Sequence, residues 1–164
     1  MKIKRDFIIL SVLIQTIMLW ANKEIIIDLS SQHAYALEDG NIVFDGRISS
    51  GKKGLETPNG SFRILEKQRD YVSNLWPKPN GGAKMPYMMR LSNDGIAMHL
   101  GYVPHWPDSH GCIRLQNGFA QKMYTWAQIG TPVVIDGDAA DYATLRKAKN
   151  KVEDERYGII DFHD

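Results

Sequence analysis

The chain has 164 residues, with 20 Lys and Arg against 19 Asp and Glu. It is long enough for one domain with a buried core, and its net charge of +1 gives no reason to expect nucleic acid as a partner. Apolar residues make up 43% and charged ones 24%, the proportions of a globular protein rather than a disordered one. Cys112 is the single cysteine, which excludes an intramolecular disulfide and leaves two readings, an inert buried thiol or a reactive one.

Met1-Lys2-Ile3-Lys4-Arg5 is a short basic head, and an apolar run from Phe7 to Ala21 follows, broken only by Ser11, Gln15 and Thr16. The run is short of the ~20 residues that a membrane span needs and suits the apolar region of a secretory signal, about 7–15 residues. Leu19-Trp20-Ala21 leaves cleavage and an uncleaved anchor both open; either exports the rest of the chain, with membrane contact only through residues 1–21. A buried N-terminal helix is the plain alternative.

Lys23 to Ser30 is apolar and β-branched and reads as a strand. His33 to Leu37 and Ile42 to Ser49 read as a hairpin around Glu38-Asp39-Gly40-Asn41, and Thr57-Pro58-Asn59-Gly60 is a strong turn before a strand over Ser61 to Leu65. Glu66 to Lys84 is polar, contains Pro77, Pro79 and Gly81-Gly82, and reads as a long loop. Met85 to Leu91 and Gly95 to Leu100 are strands around Ser92-Asn93-Asp94-Gly95. A helix capped by Asn117, with Phe119, Met123 and Trp126 on one face, ends at Gly130. Thr131 to Asp136 is a last strand, and Ala139 to Arg156 reads as a charged surface helix. The pattern predicts a mainly β fold of meander type.

The chemistry concentrates between Met98 and Leu115, which holds His99, His105, His110 and Cys112. A thiol is a weak nucleophile until ionised; an imidazole can take its proton and, once charged, hold the thiolate. Gly111, just before the cysteine, lets the backbone approach a substrate and aim N–H groups at a developing oxyanion. The parts needed for acyl transfer are therefore present, and such a thiol is expected to be acidic, with alkylation continuing well below the ordinary thiol pKa of about 8.5. Tyr71, Trp76, Tyr87, Tyr102 and Trp106 are candidates for lining a groove, or for the core. His99, His105, Asp108, His110 and Cys112 are all potential zinc ligands, but their spacing matches no structural zinc pattern and one cysteine rules out the paired-cysteine frameworks.

Ser109-His110-Gly111-Cys112-Ile113-Arg114-Leu115 resembles the [S/T]HGC signature of the L,D-transpeptidase (YkuD) domain. Ile27 to Gln32 is similar to that domain's opening strand, Thr57 to Phe62 to its TP-x-G-x-F turn, Met85 to His99 to the segment before the catalytic histidine, and Gly130-Thr131-Pro132-Val133 to its terminal strand. The resemblance covers about residues 24–137, between the export segment and an extension over 138–164. It implies a YkuD-type β-sandwich with one helix after the cysteine and a C-terminal helix.

It also implies roles. Cys112 is the nucleophile, and His99 the general base, oriented by a nearby backbone carbonyl such as that of Leu100. His110 shapes the pocket, Ser109 gives a supporting hydrogen bond, and the N–H groups of Gly111 and Cys112 serve the oxyanion hole. Arg114 pairs with a substrate carboxylate, or else with a surface acid; Tyr102 and Tyr87 join it as substrate-binding candidates. The implied partners are peptidoglycan stem peptides in the periplasm or cell envelope, with another stem, a wall-attached protein or water as acceptor, and no cofactor or metal. The interval from His99 to His110 is shorter than in the broad family and resembles a compact Gram-negative-like subgroup. His105 stands where that subgroup usually has Gly, and Gln116 where Pro is common, which bears on acceptor choice. A non-catalytic wall-binding module is the third class; a free thiol in an intact Ser-His-Gly-Cys argues against it.

Overall fold

The computed structural model describes residues 22–78, 81–104 and 106–142, and of residues 75–78 the backbone only. The strands are β1 (Lys23–Asp28), β2 (His33–Glu38), β3 (Asn41–Ser49), β4 (Gly60–Arg63), β5 (Glu66–Lys78), β6 (Gly81–Arg90), β7 (Ala97–Leu100), β8 (Ile113–Leu115) and β9 (Pro132–Asp136), with one helix, α1 (Phe119–Trp126), after the cysteine. Residues 1–21, His105 and all but the first four residues of the helix expected over Ala139 to Arg156 lie outside the described residues. Among the described residues no helix is long and apolar enough to cross a membrane.

The fold is mainly β, as the sequence predicts. The nine strands run β4-β9-β1-β2-β3-β8-β7-β6-β5 in one curled sheet. Both halves turn one face inward. Ile25 and Ile27 of β1, Ala34 and Ala36 of β2, and Val133 and Ile135 of β9 meet Met89, Met98, Ile113 and Leu115 from the other half in one cluster. Alternation sets this directly: in β1 and β9 every second residue is buried while its neighbours are only partly covered. Helix α1 adds Phe119, Ala120 and Met123 to the same core.

Consecutive antiparallel pairing, as a meander requires, holds for β1-β2-β3 and for β5-β6-β7, whereas β4 leaves it to pair with β9. β1 also pairs in parallel with β9, and β7 pairs in parallel with β8 (Met98 opposite Ile113, His99 opposite Arg114). β8 was not legible as a strand: it is three residues long and stands between two loops. The segment Glu66 to Lys84, expected to be a loop, is instead the antiparallel hairpin of β5 and β6, paired from Glu66–Arg90 out to Lys78–Gly81. Gln68, Arg69, Asp70, Val72 and Asn74 are exposed, so much of β5 faces water on both sides and never acquires the apolar alternation by which strands are recognised. Pro77, Gly81 and Gly82 stand at the outer end of the described ladder.

Helix α1 starts on Gly118, not Asn117. The Gln121 side chain reaches back to accept the Gly118 N–H (2.7 Å) and donates to Asn117 Oδ1 (2.7 Å). At the other end Lys67 of β5 caps it, its Nζ donating to the carbonyls of Tyr124 and Ala127 (2.6 Å each) with the ammonium 4.4 Å from the Tyr124 ring centroid. A cation at a helix C-terminus satisfies carbonyls that lack an intrahelical donor and complements the helix dipole. Lys67→Met keeps the apolar stem and removes these charge-assisted bonds. It should lower stability by about 2 kcal/mol, read as a fall in the urea midpoint at unchanged slope.

Candidate active site

The parallel pairing of β7 and β8 builds the site. Residues opposite one another on adjacent strands share a face, so His99 and Arg114 project to the same side. Met98, Ile113 and Leu115 project to the other side and are fully buried in the core. Cys112 stands one residue before β8. Its thiol donates to the Gly95 carbonyl (3.6 Å). Cys112, His99, Ser109, His110, Arg114 and Tyr102 all line one cavity of about 560 Å³. Ser73, Ala83, Lys84 and Met85 of the β5–β6 hairpin form its wall.

His99 is 8% exposed, and its Nδ1 lies 2.8 Å from the Leu100 carbonyl. A carbonyl only accepts, so Nδ1 carries the proton and Nε2 is left as the acceptor of the neutral ring. Burial pulls its pKa down to about 4, against the Leu100 bond, which raises it; the Arg114 guanidinium adds to the fall. Burial likewise raises the Cys112 thiol above its ordinary value, although the Ala97 backbone bond and Arg114 favour the thiolate. The resting pair is therefore a neutral imidazole and a neutral thiol. This corrects the expectation of an acidic cysteine: desolvation of both groups outweighs what the local donors and Arg114 supply.

The loop carrying the cysteine is held from within and from behind. The Ser109 hydroxyl, buried, donates to the Cys112 carbonyl and accepts the Gly111 N–H (3.1 Å). The Gly111 N–H is thus already engaged, which corrects its expected place in an oxyanion hole. Gly111 has φ +111°, a conformation that side-chain-bearing residues rarely adopt. Behind the loop, Thr57 Oγ1 donates to the Gly111 carbonyl (2.7 Å) and accepts the Gly51 N–H (2.8 Å). The sequence showed Thr57 only as the start of a turn; a buried hydroxyl acting across 54 residues has no local signal.

The remaining candidates divide. His110 is exposed at the cavity, and Tyr102 is 75% exposed at its rim. Arg114 lines the cavity, but its guanidinium is held by Asp108, through Oδ2 at 2.8 Å and the carbonyl at 3.1 Å, and its stem packs over Gly101. Tyr87 does not join them. Its backbone has φ +56°, and its ring packs edge-on against Tyr124 (5.5 Å between centroids), with Arg69 5.6 Å from its own centroid. Among the described residues no three His, Cys, Asp or Glu side chains converge as a metal site needs.

The family model of the L,D-transpeptidase catalytic domain (YkuD) matches residues 22–135. No curated protein matches the chain by sequence. Among solved structures the chain is similar to an L,D-transpeptidase from Mycobacterium smegmatis, with 23% identity and a TM-score of 0.65 over 71% of this chain and 59% of that one. It is similar to an L,D-transpeptidase from Stackebrandtia nassauensis, with 26% identity and a TM-score of 0.64 over 71% and 56%. It is also similar to L,D-transpeptidase 3 from Mycobacterium tuberculosis in complex with a faropenem-derived adduct, with 22% identity and a TM-score of 0.63 over 71% and 60%. The chain spans less than two thirds of the length of each of these relatives. Since the family model covers most of the sequence, and the curled sheet carries the cysteine at the place just described, the chain belongs to the L,D-transpeptidase (YkuD) catalytic domain family.

Proposed function

We propose that this chain is an exported cysteine acyltransferase that takes tetrapeptide stems of peptidoglycan as donors, through a thioester on Cys112. The observation that carries the reading is a buried histidine, locked as the Nδ1–H tautomer, and a partly buried thiol lining the same cavity. The complex of a related enzyme with a faropenem-derived adduct and that of another with imipenem support a site that takes acyl donors. Export is supported by the basic head and apolar run of residues 1–21.

His99 Nε2 takes the Cys112 Sγ–H proton as sulfur attacks the carbonyl carbon of the third, diamino, residue at its L-centre. The Cys112 N–H meets the oxyanion. When the tetrahedral adduct collapses, the C–N bond to D-Ala breaks, the imidazolium returns its proton to the leaving amine, and the thioester remains. An acceptor amine from another stem, or from a wall-attached protein, then attacks the thioester. His99 takes the amine's proton and passes it to the departing sulfur, which restores the thiol. Transfer of the proton during attack suits a pair that desolvation keeps neutral at rest. Water in place of the amine makes the product a tripeptide and the enzyme an L,D-carboxypeptidase; the exposed rim at Tyr102 favours admission of water. Arg114, already held by Asp108, orients the rim and leaves a substrate carboxylate to find whatever donors remain in its fork.

Incubation with purified muropeptides followed by mass spectrometry tests the reading: a dimer less D-Ala shows transfer, a tripeptide shows hydrolysis, and neither product overturns both. Cys112→Ala should abolish turnover with the thermal transition retained, and a chelator should leave the wild type unaffected.

The acid limb of kcat/KM should lie near pH 4, with activity present above it and lost as His99 becomes protonated below it. In the enzyme without substrate, the pH at which iodoacetamide alkylation of Cys112 reaches half its plateau should lie above that of a small model thiol measured alongside. A midpoint below the model thiol would show a resting ion pair instead.

The β5–β6 hairpin is proposed as the wall that limits water at the thioester. Replacing residues 72–84 by an Asn-Gly turn closes the ladder at the Tyr71–Met85 pair, removes Ser73, Ala83 and Lys84 from the cavity wall, and should shift products from dimer toward tripeptide, with acylation by a carbapenem less affected. An unchanged product ratio at an unchanged rate would show that the hairpin is only a connection.

A further inference from the structure

Thr57 is 4% exposed and lies outside the cavity that holds Cys112 and His99. It lines a separate cavity on the other side of the cysteine loop, with Gly51, Lys53, Glu56, Asn59 and Pro107. Its hydroxyl has one proton, and the geometry shows where it goes. The Gly51 N–H donates to Oγ1 at 2.8 Å, so Oγ1 donates in turn to the Gly111 carbonyl at 2.7 Å. The segment that presents Thr57 is itself bonded to the cysteine loop. The N–H groups of Asp108 and Ser109 donate to the Ser50 carbonyl (3.1 and 3.0 Å), and the Lys52 N–H donates to the Ser109 carbonyl (3.0 Å). A Cβ on Gly51 would stand 2.0 Å from the Leu55 carbonyl oxygen, so this segment has one tight course.

The Gly111 carbonyl and the Cys112 N–H belong to the same peptide unit. The unit is trans and planar, so the two groups point in opposite directions. A hydroxyl that grips the carbonyl from behind the loop therefore turns the Cys112 N–H toward the cavity in front of it. The grip matters because residue 111 is glycine. Its φ of +111° demands glycine, and the missing side chain also makes rotation of the adjoining peptide plane inexpensive. Ser109 does not provide this restraint, because its hydroxyl engages the Gly111 N–H and the Cys112 carbonyl, which lie on the two neighbouring peptide units.

We propose that Thr57 is a positioning residue for acyl transfer: its hydroxyl fixes the Gly111–Cys112 peptide plane so that the Cys112 N–H is presented to the tetrahedral oxyanion. This rests on the functional reading above and extends it to a residue that touches neither substrate nor sulfur.

The test separates oxyanion stabilisation from reactivity of the thiol. Acylation by imipenem passes through a tetrahedral oxyanion, whereas alkylation by iodoacetamide is a direct displacement at sulfur and needs no oxyanion donor. Thr57→Val keeps the shape and removes the hydroxyl. It should slow acylation by about 10- to 100-fold, below the full loss of an oxyanion donor, because the N–H remains but is no longer held. Alkylation of Cys112 at the same pH should stay within about two-fold of wild type, and Thr57→Ser, which restores the hydroxyl, should acylate within about three-fold of wild type. Acylation at the wild-type rate in Thr57→Val overturns the inference, and so does a parallel loss of acylation and alkylation, which marks a general disturbance of the loop. If Thr57→Val does not fold, Thr57→Ala takes its place under the same criteria. A wild type that imipenem does not acylate overturns the functional reading and this inference with it; a wild type that acylates beside an equally fast Thr57→Val overturns the inference alone.

Discussion

The site depends on desolvation of His99 and Cys112 at the parallel junction of β7 and β8. Parallel pairing puts residues that oppose one another on a common face, so one register places Met98, Ile113 and Leu115 in the core and His99 and Arg114 at the cavity. The same strands that close the core therefore carry the chemistry, and neither group can move without disturbing packing. Burial then sets their protonation states, holding the imidazole neutral down to about pH 4 and the thiol protonated above its ordinary range.

The loop that carries Cys112 is densely bonded. Gly111 supplies a conformation that other residues resist, and the freedom this brings is restrained twice: Ser109 ties the loop to itself, while bonds to residues 50–57 tie it to the segment that follows β3. A second buried chain extends this support, since Gln32 bonds the Ser50 hydroxyl (2.7 Å) and accepts the Ser50 N–H (2.8 Å). Backbone polar groups in so dry a place need partners, and here the partners also determine direction. Arg114 belongs to the same economy of placement: Asp108 holds its guanidinium where it biases both titrating groups without pairing to either.

Much of the fold was legible wherever one face of a strand is buried. β1 and β9 announce themselves because alternation and β-branching are the direct signature of a half-buried strand, and β2 because it leads into the Asp39-Gly40 turn. The β5–β6 hairpin was not legible, because water lies on both sides of much of it and nothing in such a strand selects for alternation. β8 was hidden by its length of three residues. Helix α1 was seen, but its cap was misplaced by one residue, because Gln121 reaches back to Gly118 in a contact that no single-residue preference encodes.

For the site, the sequence by itself determined the identities: Ser109, His110, Gly111 and Cys112 are contiguous, His99 lies a short loop before them, and residue types alone limit what such a set can do. The tertiary structure alone decided the rest. It showed that the Gly111 N–H is spent on Ser109, that Tyr87 turns to Tyr124 rather than to the cavity, and that a threonine 54 residues away grips the loop. It also showed that the thiol–imidazole pair is neutral at rest. The reason is common to all four: covalent order fixes which groups are available, whereas burial, hydrogen-bond direction and pKa are properties of the surroundings, and those surroundings are assembled from strands distant in sequence.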